Sequence, residues 1–215
     1  MLNKINKVCK RFEDRTRIVA KDSLNKIKYG IHAPLYNELI WVDPLSIQYM
    51  IEREEVLRVT GIHRNKASAV IVDWNKIKEF KPIDSQYRIQ YCFKHWKEGL
   101  SWEQIGVYEY MSQTKKYGSW PKEKIIERFR ILDHAFAEAK SERRLKTRKE
   151  IDPRNFREED GILVHIGKDG DPYFGGNGFH RLAIAQVLEL KRIPACVGMV
   201  DKNSIGILQE YRQPK

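Results

Sequence analysis

The stretch Tyr173–Leu190, YFGGNGFHRLAIAQVLEL, sets three glycines and an asparagine between an extended segment and a helical one. A helix N-terminus leaves backbone N–H groups unpaired and carries a partial positive charge, and glycines before it let an anion come close. An arginine adds a fork of donors suited to phosphate oxygens. The pattern favours binding of a phosphate, foremost a nucleotide phosphate, by Gly175, Gly176, Asn177, Gly178, His180 and Arg181.

The same residues also fit a plain strand-to-helix turn with a solvated histidine and arginine. Their spacing matches neither the Walker sequence nor the dinucleotide fingerprint, so the motif alone does not decide between the two interpretations.

Two extended segments and a helix must hold this loop. Residues 162–166 place apolar side chains at alternating positions, a turn is predicted at Lys168-Asp169-Gly170, and a second strand runs through Phe174. The helix formers HRLAIAQVLEL follow the glycines, and RIPACVGMV predicts another strand. The order strand, turn, strand, glycine loop, helix, strand predicts an α/β unit with a right-handed crossover.

Upstream segments divide the rest of the chain. Apolar residues at helical spacing among many charges predict a basic amphipathic helical segment over 1–38. Residues 39–84 are predicted to hold the first strands, at Leu39–Val42 and in ASAVIVDWN, with Asp43 or Ser46 starting a helix between them. Residues 85–150 read as a helical insert and a basic linker, and 151–215 as the α/β core.

Charge and cysteine usage limit the class of partner and the cellular compartment that the sequence predicts. The 215 residues carry a formal charge of +11, which favours an anionic partner but does not distinguish nucleic acid, phosphorylated ligands and acidic membranes. The three cysteines lack the spacing of a disulfide framework or a zinc site. No segment has the pattern of a signal peptide or a membrane span. The sequence therefore predicts a protein of the reducing cytoplasm.

The segment DGDPYFGGNGFHRLAIAQVLELKRIPACVGMV resembles the core of the ParB/sulfiredoxin superfamily. That core reads as a D-G hairpin, an apolar strand, a glycine-rich turn, His-Arg or Arg-Arg at an alanine-rich helix, then Ile-Pro and a strand. The resemblance covers residues 161–200, and LIWVDP is similar to the opening strand of the family. It implies an α+β fold whose C-terminal part is a ParB/sulfiredoxin-like α/β unit, with N-terminal and central helical segments.

The branches of the superfamily imply different activities. ParB proteins bind a nucleoside triphosphate at the equivalent loop, sulfiredoxins bind ATP at a G-G-C-H-R stretch whose cysteine is a nucleophile, and the free serine kinases of this fold transfer phosphate to a hydroxyl. Here Phe179 stands before His180, so the sulfiredoxin thiol is missing. No recognisable helix-turn-helix follows the loop, which disfavours a role in chromosome partition.

Two functions stay open after this resemblance. The first is an Mg²⁺-dependent phosphotransferase that uses ATP or ADP, with CTP as a further candidate, and in which a carboxylate takes the proton from an acceptor hydroxyl. The second is a nucleotide-gated or nucleic-acid-binding module without turnover, or a ParB-like nuclease, in which the basic N-terminus and linker bind the nucleic acid.

The candidate catalytic carboxylates are Asp43, Glu52 and Glu158, with Glu54, Asp152, Glu159 and Asp160 as further choices, although each also fits a solvated surface carboxylate. Arg154 and Arg157 precede the hairpin and are candidates to contact an anionic substrate. His165 is predicted on the face opposite Ile162, where it lines either the site or solvent. No set of metal ligands is predicted.

Overall fold

The computed structural model describes residues 2–115 and 117–214, with side chains described except at positions 2–14, 17 and 65. The helices are α1 (Leu2–Tyr29), α2 (Arg53–Thr60), α3 (Tyr87–Trp96), α4 (Val107–Ser112), α5 (Lys122–Glu142), α6 (Arg148–Ile151), α7 (Phe179–Val187) and α8 (Leu208–Tyr211). The strands are β1 (Leu39–Val42), β2 (Tyr49–Met50), β3 (Ile71–Val72), β4 (Lys81–Pro82), β5 (Ile162–Ile166), β6 (Pro172–Phe174) and β7 (Ile193–Asp201). Short 3₁₀ turns occupy Arg64–Lys66, Trp74–Lys76 and Ile83–Ser85.

The strands form one mixed sheet in the order β1-β7-β5-β6-β2-β4, and β3 pairs with the far end of β7. The central strands β5 and β7 run parallel, and every residue of both is buried. A strand covered on both faces is apolar throughout rather than alternating. The sequences ILVHI and IPACVGMVD meet that demand except at His165 and Asp201.

Each face of the sheet carries its own hydrophobic cluster. Adjacent residues of a strand point to opposite faces, and in β6 Phe174 joins one cluster while Tyr173 packs against the other. The larger cluster joins α3, α4, α5 and α7 to the sheet. The smaller one packs α2 and the neighbouring turns on the opposite face, around Met199. The predicted insert and the α/β core therefore share one continuous core.

Asp133 of α5 holds the insert together at one point. Its carboxylate accepts hydrogen bonds from the indole N–H groups of Trp96, at 3.0 Å, and Trp102, at 2.9 Å. The Nε2 atom of His95 lies 2.9 Å from the same carboxylate, and the ring stacks on Trp102 with centroids 3.8 Å apart. Three segments of the insert thus meet at a single acceptor.

Helix α1 is attached to the core through Asp22. This buried carboxylate accepts the backbone N–H of Tyr36 at 2.7 Å and pairs with Arg157 at 2.7 Å. On other sides of the helix, Val19 and Ile27 are exposed. None of the described helices is long and apolar enough to cross a membrane.

The prediction of an α+β fold is confirmed, and several local predictions hold. Strand β1 has the predicted bounds, the hairpin is β5 and β6, and the glycine loop leads into α7 and then β7. The prediction of a helix that begins at Asp43 or Ser46 is wrong. Asp43 instead accepts the N–H of Leu45 at 2.8 Å, which stabilises a turn that leads into β2, and α2 begins only at Arg53.

Candidate functional site

The glycine loop is bound closely to the start of β5. Gly175 donates its N–H to the carbonyl of Leu163 at 2.7 Å, and the N–H of Leu163 returns a bond to the carbonyl of Asn177 at 3.1 Å. The Asn177 side chain donates to the carbonyl of Gly161 at 2.9 Å. Gly178 has φ 89° and lies where a Cβ atom would meet the Cα of Ile162 at 2.9 Å. These contacts explain most of the loop composition by close backbone packing.

The His-Arg pair of the motif contacts the insert and the linker. Nε2 of His180 lies 2.5 Å from the hydroxyl of Tyr91. Arg181 donates to the carbonyl of Lys146 and lies 3.8 Å from the buried carboxylate of Glu158. Burial lowers the pKa of Arg181 and raises the pKa of Glu158, against the attraction between them. Neither His180 nor Arg181 lines the cavity at the glycine loop.

That cavity has a volume of about 370 Å³ and reaches Gly176 and Phe179 at the N-terminus of α7. Three arginines from three different elements line it: Arg53 from α2, Arg64 from the following 3₁₀ turn, and Arg88 from α3. The loop and the strand β2 meet here because β2 runs parallel to β6, with Met50 beside Phe174. Residues that follow β2 are therefore brought next to the glycines that follow β6.

Arg64 is the innermost of the three arginines. Its Nη1 atom lies so close to Gly176 that a Cβ atom there would clash with it, and its buried Nε atom has no hydrogen-bond partner among the described residues. Burial lowers the pKa of Arg64, and the positive charges of Arg53 and Arg88 lower it further. Three guanidinium groups thus lie around one cavity, and a positive potential of this kind attracts anions.

Carboxylates border the same cavity. Glu52 lines it and pairs with Lys81 at 2.5 Å, and Glu54 lines it with a largely exposed side chain that pairs with Arg53 at 3.2 Å. Of the three carboxylates predicted first as the catalytic base, the structure therefore brings Glu52 to the glycine loop.

A second, smaller cavity of about 90 Å³ lies on the other side of Arg64. Asn177, Glu159 and Asp160 line it, together with Cys196. The Cys196 side chain is almost wholly buried, and burial raises the pKa of its thiol to about 12. Such a thiol is a small buried side chain rather than a nucleophile.

His165 lies beneath the loop and is fully buried, so it does not line solvent. Its Nδ1 accepts the N–H of Met199 at 2.8 Å, which places the ring hydrogen on Nε2. That Nε2 has no partner among the described groups and lies about 3.0 Å from where a Cβ atom on Gly175 would be. Burial, helped by the charge of Arg64, lowers the pKa of His165 to about 3.

The other predicted residues lie elsewhere. Asp43 is exposed in its turn, and Arg154 pairs with Asp152 at 2.9 Å on the surface. Arg157 binds Asp22 and the carbonyl of Tyr36, which fixes α1. Glu158 accepts both of its short bonds from the backbone N–H of Arg148, at 2.9 and 3.1 Å.

Sequence reasoning missed the three arginines of the cavity. They stand in the separate stretches EREE, HRNK and YRIQ, and none of these is a motif. Their convergence depends on the pairing of β2 with β6 and on the packing of α3 against α7. Among the side chains that the structure describes, no group of three or more His, Cys, Asp or Glu residues is placed to hold a metal ion.

We compared the chain with known protein families, curated proteins and solved structures. No family model, no curated protein and no solved structure matches the chain.

Proposed function

We propose that this protein binds a nucleotide by its phosphates in the 370 Å³ cavity, and that it transfers a phosphoryl group from the nucleotide to a hydroxyl acceptor. The observation that carries the proposal is the convergence of Arg53, Arg64 and Arg88 on Gly176 and the first turn of α7. The resemblance of the loop region to the ParB/sulfiredoxin superfamily supports the same ligand.

The cavity carries a surplus of positive charge, because three arginines and two glutamates line it. Arg64 and Arg88 form no ion pair with a described carboxylate, and the pair of Arg53 with Glu54 is exposed and therefore weak. A phosphate chain offers several oxygens to the guanidinium forks, and Phe179, the first residue of α7, lines the same cavity. A cavity of this volume is also within the usual range for a small organic ligand.

Glu52 is the residue we assign as the base that takes the proton from the acceptor hydroxyl. It shares the cavity with the arginines, and its side chain is about one-third exposed, so a substrate can reach it. Mg²⁺ bound with a nucleotide takes one or two protein carboxylates, of which Glu54 can supply one, and the ion would neutralise phosphate charge.

The first experiment is a thermal-shift screen with ATP, ADP, CTP and GTP, each with and without Mg²⁺. A ligand that binds the native state alone raises the melting temperature. We expect at least one nucleotide to stabilise the wild type and not Arg64→Gln. The control Arg130→Gln removes one positive charge from an exposed site on α5 and should keep the shift. If no nucleotide stabilises the wild type, the proposal fails.

The second experiment separates turnover from binding. The nucleotide found in the screen is incubated with free hydroxyl amino acids, hexoses and nucleosides, and ³¹P NMR follows its phosphates. We expect transfer to one acceptor by the wild type, its loss in Glu52→Gln with binding retained, and normal transfer by Glu79→Gln, an exposed carboxylate outside the cavity. Binding without transfer to any acceptor would leave a nucleotide-gated module.

The basic surface supports a second candidate, a nucleic-acid-binding module. Arg15, Lys26 and Lys28 of α1 are exposed, as is Lys149 in the linker. If that candidate holds, fluorescence anisotropy will show binding to a labelled duplex that weakens steeply with salt. Binding that is unchanged by Arg64→Gln would place the nucleic acid outside the cavity.

A further inference from the structure

We infer that the helical insert completes the nucleotide site, because Tyr87 and Tyr110 of the insert, with Phe179 of α7, form a subsite for a nucleobase. This inference rests on the proposed function, since it assigns the part of the ligand beyond the phosphates. It gives residues 87–112 a role in ligand recognition as well as in packing.

The three aromatic rings line the same cavity as the arginines. The Tyr87 and Tyr110 rings have centroids 4.3 Å apart and are tilted by 56°. Phe179 follows the glycine loop directly, and the Arg88 guanidinium lies 5.3 Å from the centre of its ring. Phosphate and aromatic contacts are thus available within one cavity, as a nucleotide requires.

Packing alone does not account for Tyr110. Its side chain is exposed to 37%, although it is a large aromatic residue at a cavity rim. A phosphate or polyphosphate gains nothing from aromatic surface, whereas a flat heterocycle gains from stacking on it. The mixture of guanidinium groups and partly exposed rings therefore fits a nucleotide better than an inorganic phosphate.

Gln86 and Tyr87 provide groups that can read the edge of a base. Gln86 lines the cavity and its side chain makes no hydrogen bond to the described residues, so its amide has both a donor and an acceptor to offer. The Tyr87 hydroxyl is a neutral phenol that can donate or accept a hydrogen bond, and burial raises its pKa further. A site with hydrogen-bonding groups discriminates strongly among ligands that differ in those groups.

The test compares ATP, ADP, CTP and GTP with inorganic tripolyphosphate, using isothermal titration calorimetry. Tyr110→Ala should lower the affinity for the nucleotide by about tenfold or more, because a stacking ring is lost. It should leave tripolyphosphate affinity unchanged, and Tyr110→Phe should restore nucleotide affinity. Gln86→Leu should alter the ranking of the four nucleotides and not the affinity for tripolyphosphate. Circular dichroism melting checks that each variant is folded.

The controls separate failure of this inference from failure of the proposed function. Arg64→Gln should weaken nucleotide and tripolyphosphate alike. If Tyr110→Ala lowers the affinity for neither ligand, or lowers both affinities equally, the inference of a base subsite is wrong while phosphate binding stands. If the wild type binds neither nucleotides nor tripolyphosphate, the proposed function and this inference both fail.

Discussion

The hydroxyl of Tyr91 lies 2.5 Å from Nε2 of His180 and joins α3 of the insert to the first turn of α7. Burial raises the pKa of Tyr91 well above its usual range, so the hydroxyl is a neutral phenol when it bonds the imidazole. The histidine of the sequence motif thus contributes to the attachment of the insert to the loop.

Removal of this hydroxyl should destabilise the protein. Tyr91→Phe removes the hydrogen bond between the hydroxyl and Nε2 of His180, which we expect to cost about 1–2 kcal/mol in the free energy of unfolding. Urea denaturation followed by circular dichroism measures the change. Tyr49→Phe is the control, because the Tyr49 side chain is 45% exposed and its hydroxyl bonds no described group. Equal stability of the two variants would show that the Tyr91 hydroxyl contributes nothing.

Gly176→Ala should reduce both stability and ligand binding. At φ 76° an alanine is strained by about 1–2 kcal/mol, and its methyl group would clash with Nη1 of Arg64. The Arg64 side chain must then shift, so we expect the stabilisation by the nucleotide to fall. Gly99→Ala is the matched control, because Gly99 has a similar φ of 78° and no atom lies within 4 Å of the added Cβ. Full ligand stabilisation of Gly176→Ala would contradict the placement of Arg64.

His165 should make the protein lose stability in acid. Its pKa is lowered to about 3 in the native state, from an ordinary value of 6.5. As the pH falls below about 6.5, the unfolded chain takes up a proton that the native state does not, and stability falls by up to about 1.4 kcal/mol per pH unit. Above pH 6.5 His165 is neutral in both the native and the unfolded state, so this loss of stability is absent.

The comparison of wild type with His165→Gln isolates that effect. We expect the variant to be less stable at pH 7.5, because the pairing with the N–H of Met199 is altered. The difference between the two proteins in the free energy of unfolding should narrow when urea denaturation is repeated at lower pH, down to pH 4.5. A difference that stays constant with pH would show that His165 titrates normally in the native state.

Asp133→Asn should loosen the helical insert. The asparagine retains one acceptor oxygen and turns an N–H group towards donors from Trp96, Trp102 and His95. Because the Asp133 side chain is 41% exposed, water replaces part of the loss, and we expect a cost of about 1–2 kcal/mol. Tryptophan fluorescence during urea denaturation reports the change, and Asp84→Asn, at an exposed site, serves as the control. Coincident unfolding curves would refute the role of Asp133.

The hairpin, the loop and α7 could be predicted from sequence because their signals are local. The turn at residues 168–170, the glycines before α7 and the apolar strands each lie within a few residues of one another. Local signals could not predict which arginines line the cavity. Arg181 is adjacent to the glycines in sequence, yet it binds Lys146 and Glu158, whereas Arg64 is far away in sequence and contacts Gly176 in space.

The helix expected at Asp43 or Ser46 failed for a related reason. An aspartate before a proline stabilises either a helix start or a turn, and the choice depends on where the next residues of the chain must go. Here the chain must reach the edge of the sheet to pair Met50 with Phe174, so the turn is the conformation that fits.

The position of β7 has a consequence for how this chain is made. During synthesis β7 leaves the ribosome after every other strand, yet it pairs with β1, β3 and β5. Until Ile193–Asp201 emerges, the backbone N–H and C=O groups of Leu39–Val42 have no strand beside them, and β5 lacks its parallel neighbour. Contacts between such distant segments form slowly. The part of the nascent chain that forms this sheet should therefore stay open, and depend on protection from aggregation, until Ile193–Asp201 has emerged.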